Sequence, residues 1–403
     1  MTASADVLVV GGGPAGSTTA RLLARRGWSV LLLDRAHFPR GKACGECLNP
    51  GAVAMLARLG LLARVLSLGP AALAGWRLES AGRVATGSFP NGAIGLSLPR
   101  ARFDAELLDA AREAGVRVQE GARVLGLAGS SAEGRVGVIV RRDGGGPCVE
   151  IARIVVGADG LRSTLARGIA AYRRPPRLRK LSVTMHVEGF DADPTRGRLH
   201  LDQRGTVGLA PLDAEGRSWN ATMVVDAEAE GRAAAGDPEG FARQRFEQLV
   251  GRRLGTRVEG PWTSGPFDWP SRRAVSDGVA LVGDAAGYYD PLTGQGIYRA
   301  LRSAELAADT IDEALRRGRT ATRDLAPYQR ALRGELRAPL RVQRGVEVVL
   351  ASRSLRGAAL AVLGRSPRAT DMIIGVTGDM TPARALLGRR FWTEIVQPGE
   401  RVG

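Results

Sequence analysis

The hydrophobic pattern of this chain changes period along its length, and each change predicts a different element. Near the N-terminus the run Asp6-Val-Leu-Val-Val10 is continuous rather than alternating, as is Val30-Leu-Leu-Leu33, with a helical stretch from Ser17 to Arg26 between them. Continuous apolar strands separated by a helix predict a βαβ unit whose parallel strands are covered on both faces. Ile154-Val-Val and Val279-Ala-Leu-Val supply two more such runs. Between about 176 and 274 the pattern alternates instead, as in Leu181-Ser-Val-Thr-Met-His-Val187 and Trp219-Asn-Ala-Thr-Met-Val-Val225, which predicts an antiparallel sheet with one buried face. Beyond about 326 helical spacing dominates, and Leu340 to Leu363 mixes arginines with aliphatics. That segment reads as a helical layer packed on the domain formed by the parallel strands, with an interfacial membrane helix as the alternative.

Glycines punctuate the first βαβ unit. Gly11-Gly12-Gly13-Pro14-Ala15-Gly16 follows the first strand and opens the helix. In this dinucleotide cradle Gly11 makes the tight turn, Gly13 lets backbone approach a pyrophosphate, and Gly16 lets helix and strand pack closely. Asp34 ends the second strand, where a carboxylate can accept ribose hydroxyls.

With 403 residues and 44% hydrophobic content, the chain is long enough for one large or two moderate cores. No export signal and no membrane-spanning run is read from it, and three cysteines suit a reducing cytoplasm, so the expected location is cytoplasmic, with peripheral membrane contact as a further expectation. The net charge of +16 would raise nucleic acid as a partner, but the basic residues are almost all arginine, with lysine only at positions 42 and 180. No helix-turn-helix, zinc-finger spacing or aromatic RNA-binding strand accompanies the charge, so nucleic acid is not expected. His37, His186 and His200 are too scattered for a metal site.

Two later motifs extend the cradle. Ile154-Val-Val-Gly-Ala-Asp159-Gly160 ends a strand in Asp-Gly, and Gly278-Val-Ala-Leu-Val-Gly283-Asp284-Ala-Ala ends one in Gly-Asp before running into Asp290-Pro-Leu-Thr-Gly-Gln-Gly296. Together with the first glycines, these motifs resemble the FAD-dependent aromatic hydroxylase superfamily (p-hydroxybenzoate hydroxylase-like). The Gly-Asp segment and Phe38-Pro-Arg-Gly-Lys-Ala-Cys44-Gly45-Glu46 resemble its geranylgeranyl reductase-like branch. The resemblance implies an α/β fold: a Rossmann-like FAD-binding domain with an inserted antiparallel-sheet substrate domain and C-terminal helices. The expected boundaries give the FAD domain residues 1–75, 95–175 and 275–325, the substrate sheet 76–94 and 176–274, and the helical region 326–403.

The resemblance also assigns residues to the cofactor. Beside Gly11, Gly13, Pro14, Ala15, Gly16 and Asp34, it implies FAD contacts at Arg35, Lys42, Cys44, Arg100, Val124, Asp159, Gly160, Gly283, Asp284, Pro291, Gly294, Gln295, Gly296 and Ile297. Asp284 at a strand end suits a ribityl hydroxyl. The helix opened by Gly296 suits the flavin edge where reduction places negative charge. The pattern departs from the family at several points. Gly287-Tyr288-Tyr289 follows the Gly-Asp motif where hydroxylating members often have histidine, Ala166 stands where an arginine is usual with Arg167 one later, and Thr206-Val-Gly-Leu-Ala-Pro211 lacks the tryptophan of reductases and halogenases.

Catalytic candidates are Cys44, Glu46, Tyr289 and Asp290, with Tyr288, Tyr289, His186, Gly208 and Pro211 lining the substrate cleft. Cys44-Gly-Glu-Cys47 has dithiol spacing, though the resemblance gives Cys44 no resolving partner. The expected function is an FAD-dependent oxidoreductase. A monooxygenase hydroxylating or epoxidising a hydrophobic aromatic, polyketide or prenylated substrate in secondary metabolism leads. The alternative is a reductase saturating isoprenoid double bonds, and halogenase, redox-neutral cyclase and nucleic-acid-binding readings stand behind both. NAD(P)H or a partner flavin reductase is the expected electron donor.

Overall fold

The continuous apolar runs lie side by side with neither face left to water: Val7, Leu8, Val9 and Val10 are all buried. Ala5–Val10 pairs in parallel with Val30–Leu33, all of whose residues are buried. The computed structural model describes residues 5–130, 134–172 and 180–396, so the expected boundary at 175/176 lies outside the described residues. The first sheet runs in the order Val275–Ser276, Val279–Leu281, Pro147–Gly157, Ala5–Val10, Val30–Leu33, Arg117–Gln119. Pro147–Gly157 serves two partners. Up to Ala152 it pairs antiparallel with Val136–Arg142, which continues to Ala122–Ser130, and from Ala152 onward it runs parallel to Ala5–Val10. Helix Pro14–Ala24 packs between the sheet and helices Arg100–Glu113 and Gly296–Arg316.

The alternating segments form a second sheet of seven strands, ordered Thr256–Ser264, Lys180–Glu188, Ser218–Asp226, Gly205–Pro211, Arg196–Asp202, Gly75–Ser80, Arg83–Ser88. Val183, Met185, Val207, Leu209, Trp219 and Met223 point to one face, where helices Ala227–Gly236 and Pro238–Val250 cover them. The opposite face presents Thr184, His186, Asn220 and Thr222 toward the first domain, since successive side chains alternate across a strand. A further small sheet, Cys47–Leu48, Gly95–Ser97 and Ala71–Leu73, joins the two bodies.

The C-terminal helices divide their contacts. Thr322–Ala351 packs along Gly296–Arg316, whereas Arg353–Arg365 and Pro367–Thr377 pack on strand Arg83–Ser88 of the second sheet. The helical layer therefore clamps both domains rather than covering the FAD domain alone. Gly87 permits this, because a Cβ there would lie 2.5 Å from Ile374. Among the described residues, no helix is long and apolar enough to cross a membrane.

Candidate flavin and substrate site

The first glycine loop separates fold from binding. Gly11 has φ +107, and a Cβ there would lie 2.4 Å from the Ala158 carbonyl oxygen; at Gly16 it would lie 1.8 Å from the Gly11 oxygen. Both glycines are required by the polypeptide itself. Gly13 is different: its φ of −75 suits any residue, and the nearest atom to an added Cβ is Arg40 Nη2 at 3.8 Å. Space is thus left beside the N-terminus of the helix that Pro14 and Ala15 begin, flanked by a guanidinium, as a diphosphate requires. Arg40 was not a sequence candidate. Its signal was its place in Phe38-Pro39-Arg40: the guanidinium lies 4.7 Å from the Phe38 ring centroid and 3.1 Å from Asp104, which turns it back over the loop.

Asp34 has a second task that the sequence did not reveal. Its Oδ2 accepts from Gly12 N at 2.6 Å and its Oδ1 from Ala36 N at 2.8 Å, so it braces the loop while each oxygen keeps a lone pair for a ribose. Arg35 is exposed beside it, and Val124 lies just past Ala122, whose N–H donates to the Asp34 carbonyl. Asp159 caps the short helix Thr164–Gly168, accepting from Ser163 Oγ at 2.5 Å and Thr164 N at 2.6 Å, and burial raises its pKa. Gly160 (φ +72) follows it, and Lys42 Nζ would lie 3.9 Å from a Cβ there. Burial, aided by the nearby Arg100 charge and opposed by Asp284, pushes the Lys42 ammonium down.

Gly283 (φ +58) turns the chain so that Asp284 stands half-buried between Lys42 and Tyr288. Among the described residues no hydrogen bond engages the Asp284 carboxylate, which leaves it free for a cofactor hydroxyl. Asp284→Ala is expected to weaken FAD binding by about 1.5–3 kcal/mol, the worth of a hydrogen bond to a charged group, as titration of the apoprotein will show. Gly294 N donates to the Pro291 carbonyl at 3.0 Å, and this turn delivers Gly296 and Ile297 to the start of a 21-residue helix.

Gln295 links that helix to the C-terminal layer. Its Nε2 donates to Asp379 Oδ1 at 2.6 Å, while Asn49 Nδ2 donates to Oδ2 at 2.7 Å. Burial raises the Asp379 carboxyl to about 6 despite these bonds and the Arg299 charge. A raised folded-state pKa means the stabilising state is the protonated one, so stability is lost as pH rises through 6. Asp379→Asn has no such proton. The stability difference, wild type minus variant, is expected to fall by about 1–3 kcal/mol between pH 4 and pH 7.5 in urea titrations, whatever its offset.

The loop carrying Cys44 and Glu46 meets the second sheet directly. Glu46 is 1% exposed, with φ +56. Its Oε1 accepts from Arg100 N at 2.8 Å, and its Oε2 lies 2.6 Å from His186 Nε2. The other ring nitrogen, Nδ1, lies 3.2 Å from Glu259, whose side chain is 54% exposed. Trp262 packs edge-on against the imidazole at 5.0 Å. A continuous Glu–His–Glu chain therefore leads from solvent to a buried carboxylate. Asn220 Nδ2 and Thr222 Oγ1 both donate to the Cys44 carbonyl, at 3.0 and 3.2 Å, fixing the loop against the sheet. Arg100 forms a two-pronged pair with buried Asp104, both contacts 2.7 Å, and reaches Cys44 Sγ at 3.4 Å. It is a buried structural centre rather than a surface arginine.

The remaining candidates separate by side-chain direction. Gly208 shares a transverse row with Thr184, Thr222 and Leu199 on the face toward the first domain, and a Cβ there would meet nothing closer than 3.5 Å. Pro211 must be corrected: three residues on, it pairs with Trp219 and falls on the helix-covered face with Leu209, so Ala210 takes its place in the wall. His200 also faces away, paired with Val207. Tyr288 is turned toward Asp284, Asp290 and Cys44, and burial, with the two carboxylate charges, raises its hydroxyl pKa. Tyr289 turns toward Glu347 of the C-terminal helix. Asp290 binds Leu292 N at 2.9 Å and lies 3.4 Å from Lys180, holding the flavin loop in shape. All three cysteines are free thiols, and burial pushes the Cys47 thiol far up, which leaves it without thiolate character for dithiol exchange.

Comparison with known proteins agrees with this geometry. The chain matches the FAD binding domain family over residues 4–335. It is 32% identical to the menaquinone reductase of Mycolicibacterium smegmatis, over 77% of each chain. It is also 32% identical to digeranylgeranylglycerophospholipid reductase 1 of Methanopyrus kandleri, over 87% of this chain and 92% of that one. The 6-methylpretetramide 4-monooxygenase of Streptomyces rimosus is 30% identical, over 96% and 92%. Among solved structures, the myxobacterial chondrochloren halogenase is 28% identical with a TM-score of 0.73, over 82% and 80%. An open glycine loop, the unengaged Asp284 carboxylate and the start of helix Gly296–Arg316 fit FAD, and the chain belongs to the FAD binding domain family as an FAD-dependent oxidoreductase of the aromatic hydroxylase superfamily.

Proposed function

We propose that this oxidoreductase saturates a double bond in a large apolar, isoprenoid-type molecule, and that the Glu46–His186–Glu259 chain delivers the proton. The observation that carries this reading is a buried carboxylate connected through a histidine to an exposed one. Saturating an alkene adds one hydrogen with its electron pair and one proton, so a protein performing it needs a protected proton route. Bound FAD supplies the electron pair, received from NAD(P)H or a partner flavin reductase. Glu46 holds a proton at Oε2, His186 passes its replacement between Nδ1 and Nε2, and Glu259 exchanges with water. Gly13, Arg40, Lys42, Asp284 and the start of helix Gly296–Arg316 would hold the cofactor. The wall offered by Thr184, Thr222, Gly208 and Leu199 is small and weakly polar, which suits a bulky apolar substrate.

A second reading, oxygenation of a polyketide-type aromatic, is supported by the extent of the monooxygenase match, which includes the C-terminal helices. Two assays distinguish them. Anaerobic incubation of the reduced protein with a polyprenyl quinone is expected to give a mass gain of two hydrogens. A gain of one oxygen on an aromatic polyketide, with NADPH-dependent oxygen uptake, selects the second reading.

A further inference from the structure

Among the described residues, several arginines are neutralised by neighbouring carboxylates. Arg64 sits between Glu106 and Glu113, Arg142 against Glu150, and Arg302 between Glu305 and Glu335. A cluster around Arg356 is not. A cleft of about 670 Å³ lies between the turn Ser80–Arg83, the hairpin tip Asp202–Arg204 and the first turn of helix Arg353–Arg365. Arg83, Arg204, Arg353 and Arg356 line it, with Asp202 as its one carboxylate.

Arg356 is the centre of this arrangement, and it is only 3% exposed. Its Nε donates to Ser80 Oγ at 3.1 Å and its Nη1 to the Leu350 carbonyl at 2.6 Å. Both partners are neutral and fix the plane of the guanidinium. Among the described residues nothing accepts from Nη2, and the side chain lines the cleft. Asp202 is already engaged, its Oδ1 accepting from Arg204 N at 3.0 Å and Nε at 3.2 Å. Arg83 donates to the Gly357 carbonyl, which holds its charge at the rim. The helix beginning at Arg353 adds its positive end: Ser352 Oγ caps Leu355 N at 3.3 Å, leaving the amides of Arg353 and Ser354 without intrahelical partners.

Four guanidinium groups against one carboxylate leave this lining three charges positive. Collecting like charges around a buried arginine is unfavourable unless an anion completes the site. Planar forks of N–H donors match phosphate oxygens, and the volume exceeds what one small ion fills. We propose that this cleft binds a phosphate-bearing molecule, a diphosphate or phosphate ester. The proposal does not depend on which reaction the flavin site performs. The phosphate could belong to a dinucleotide or to a lipid headgroup, and both present the same chemistry to the arginines.

Calorimetric titration of the FAD-loaded protein with inorganic pyrophosphate at physiological salt tests this. Saturable binding is expected, weakened at least tenfold by Arg353→Glu and by Arg204→Glu, both exposed positions whose replacement spares the core. Arg356→Lys keeps the charge but loses the fork, and it too should weaken binding about tenfold. Arg217→Glu, on a different hairpin, should change it less than twofold. Displacement of pyrophosphate by NADPH or NADH assigns a dinucleotide, and displacement by NADPH alone places its 2′-phosphate in the cleft. Sedimentation with phosphatidylglycerol but not phosphatidylcholine vesicles, lost in Arg353→Glu, assigns a headgroup. Pyrophosphate binding with neither effect still supports the site, for another soluble phosphate ester. No saturable binding, or equal affinity in wild type and the Arg353 and Arg204 variants with FAD content unchanged, overturns it.

Discussion

Gly13→Val is expected to give a folded but colourless protein. The expectation depends on the contrast among three glycines in one loop. At Gly11 and Gly16 an added Cβ would collide with backbone, so a change there breaks the strand–helix junction whether or not a ligand binds. At Gly13 the backbone is ordinary and the surrounding space is open, so valine is sterically compatible with the polypeptide and incompatible only with a diphosphate resting on the loop. Flavin absorbance per protein should fall below about a tenth of wild type, as a loss of more than about 1.8 kcal/mol implies at the half-saturation point. Circular dichroism and the urea midpoint should stay close to those of wild-type apoprotein. Normal flavin occupancy in this variant would refute the placement of the pyrophosphate.

Glu46→Gln should lower turnover by about 10²–10⁴-fold while leaving FAD content unchanged, the range typical of a positioned acid–base group. Glutamine keeps the shape, and its oxygen can still accept from Arg100 N, so the loop is preserved. What disappears is a group able to hold and release a proton opposite His186. His186→Gln should fall in the same range, and the double variant no further than either single, because members of one relay are not additive. Glu259→Gln should cost much less, since its side chain is largely exposed and water can replace it. A solvent isotope effect present in wild type and altered in Glu46→Gln separates proton delivery from a packing role. Full activity in Glu46→Gln would remove the relay from the mechanism.

The three motifs assigned to the dinucleotide were legible because their chemistry is local. Turn, strand end and helix start fall within a few residues of one another, and glycine is required at particular places. The relay was not legible for the opposite reason. Glu46 and His186 are 140 residues apart, and each alone resembles a loop charge or a packing histidine. Only the docking of the Cys44 loop on the second sheet, through Asn220 and Thr222, brings them together. Arg40 and Arg356 were hidden by composition: in so arginine-rich a chain, residue type alone does not distinguish an enclosed arginine from the many exposed ones, and Arg100 was named only through the family resemblance. Pro211 was legible and misplaced. Period-two alternation sets it and Gly208 on opposite faces, because three residues separate them.

The double partnership of strand Pro147–Gly157 has a consequence for how the chain is made. Ala5 pairs with Ala152, 147 positions later, and Val279–Leu281 closes the far side of the same strand only after a further domain has been synthesised. On a ribosome adding about 5–20 residues per second, the first strand waits roughly 7–30 s with one apolar edge open. An open edge of this kind is a template for any other unpaired strand. The finished sheet hides Ala5–Val10 between two neighbours, so a strand with an open apolar edge in the nascent chain lies in the interior of the mature protein.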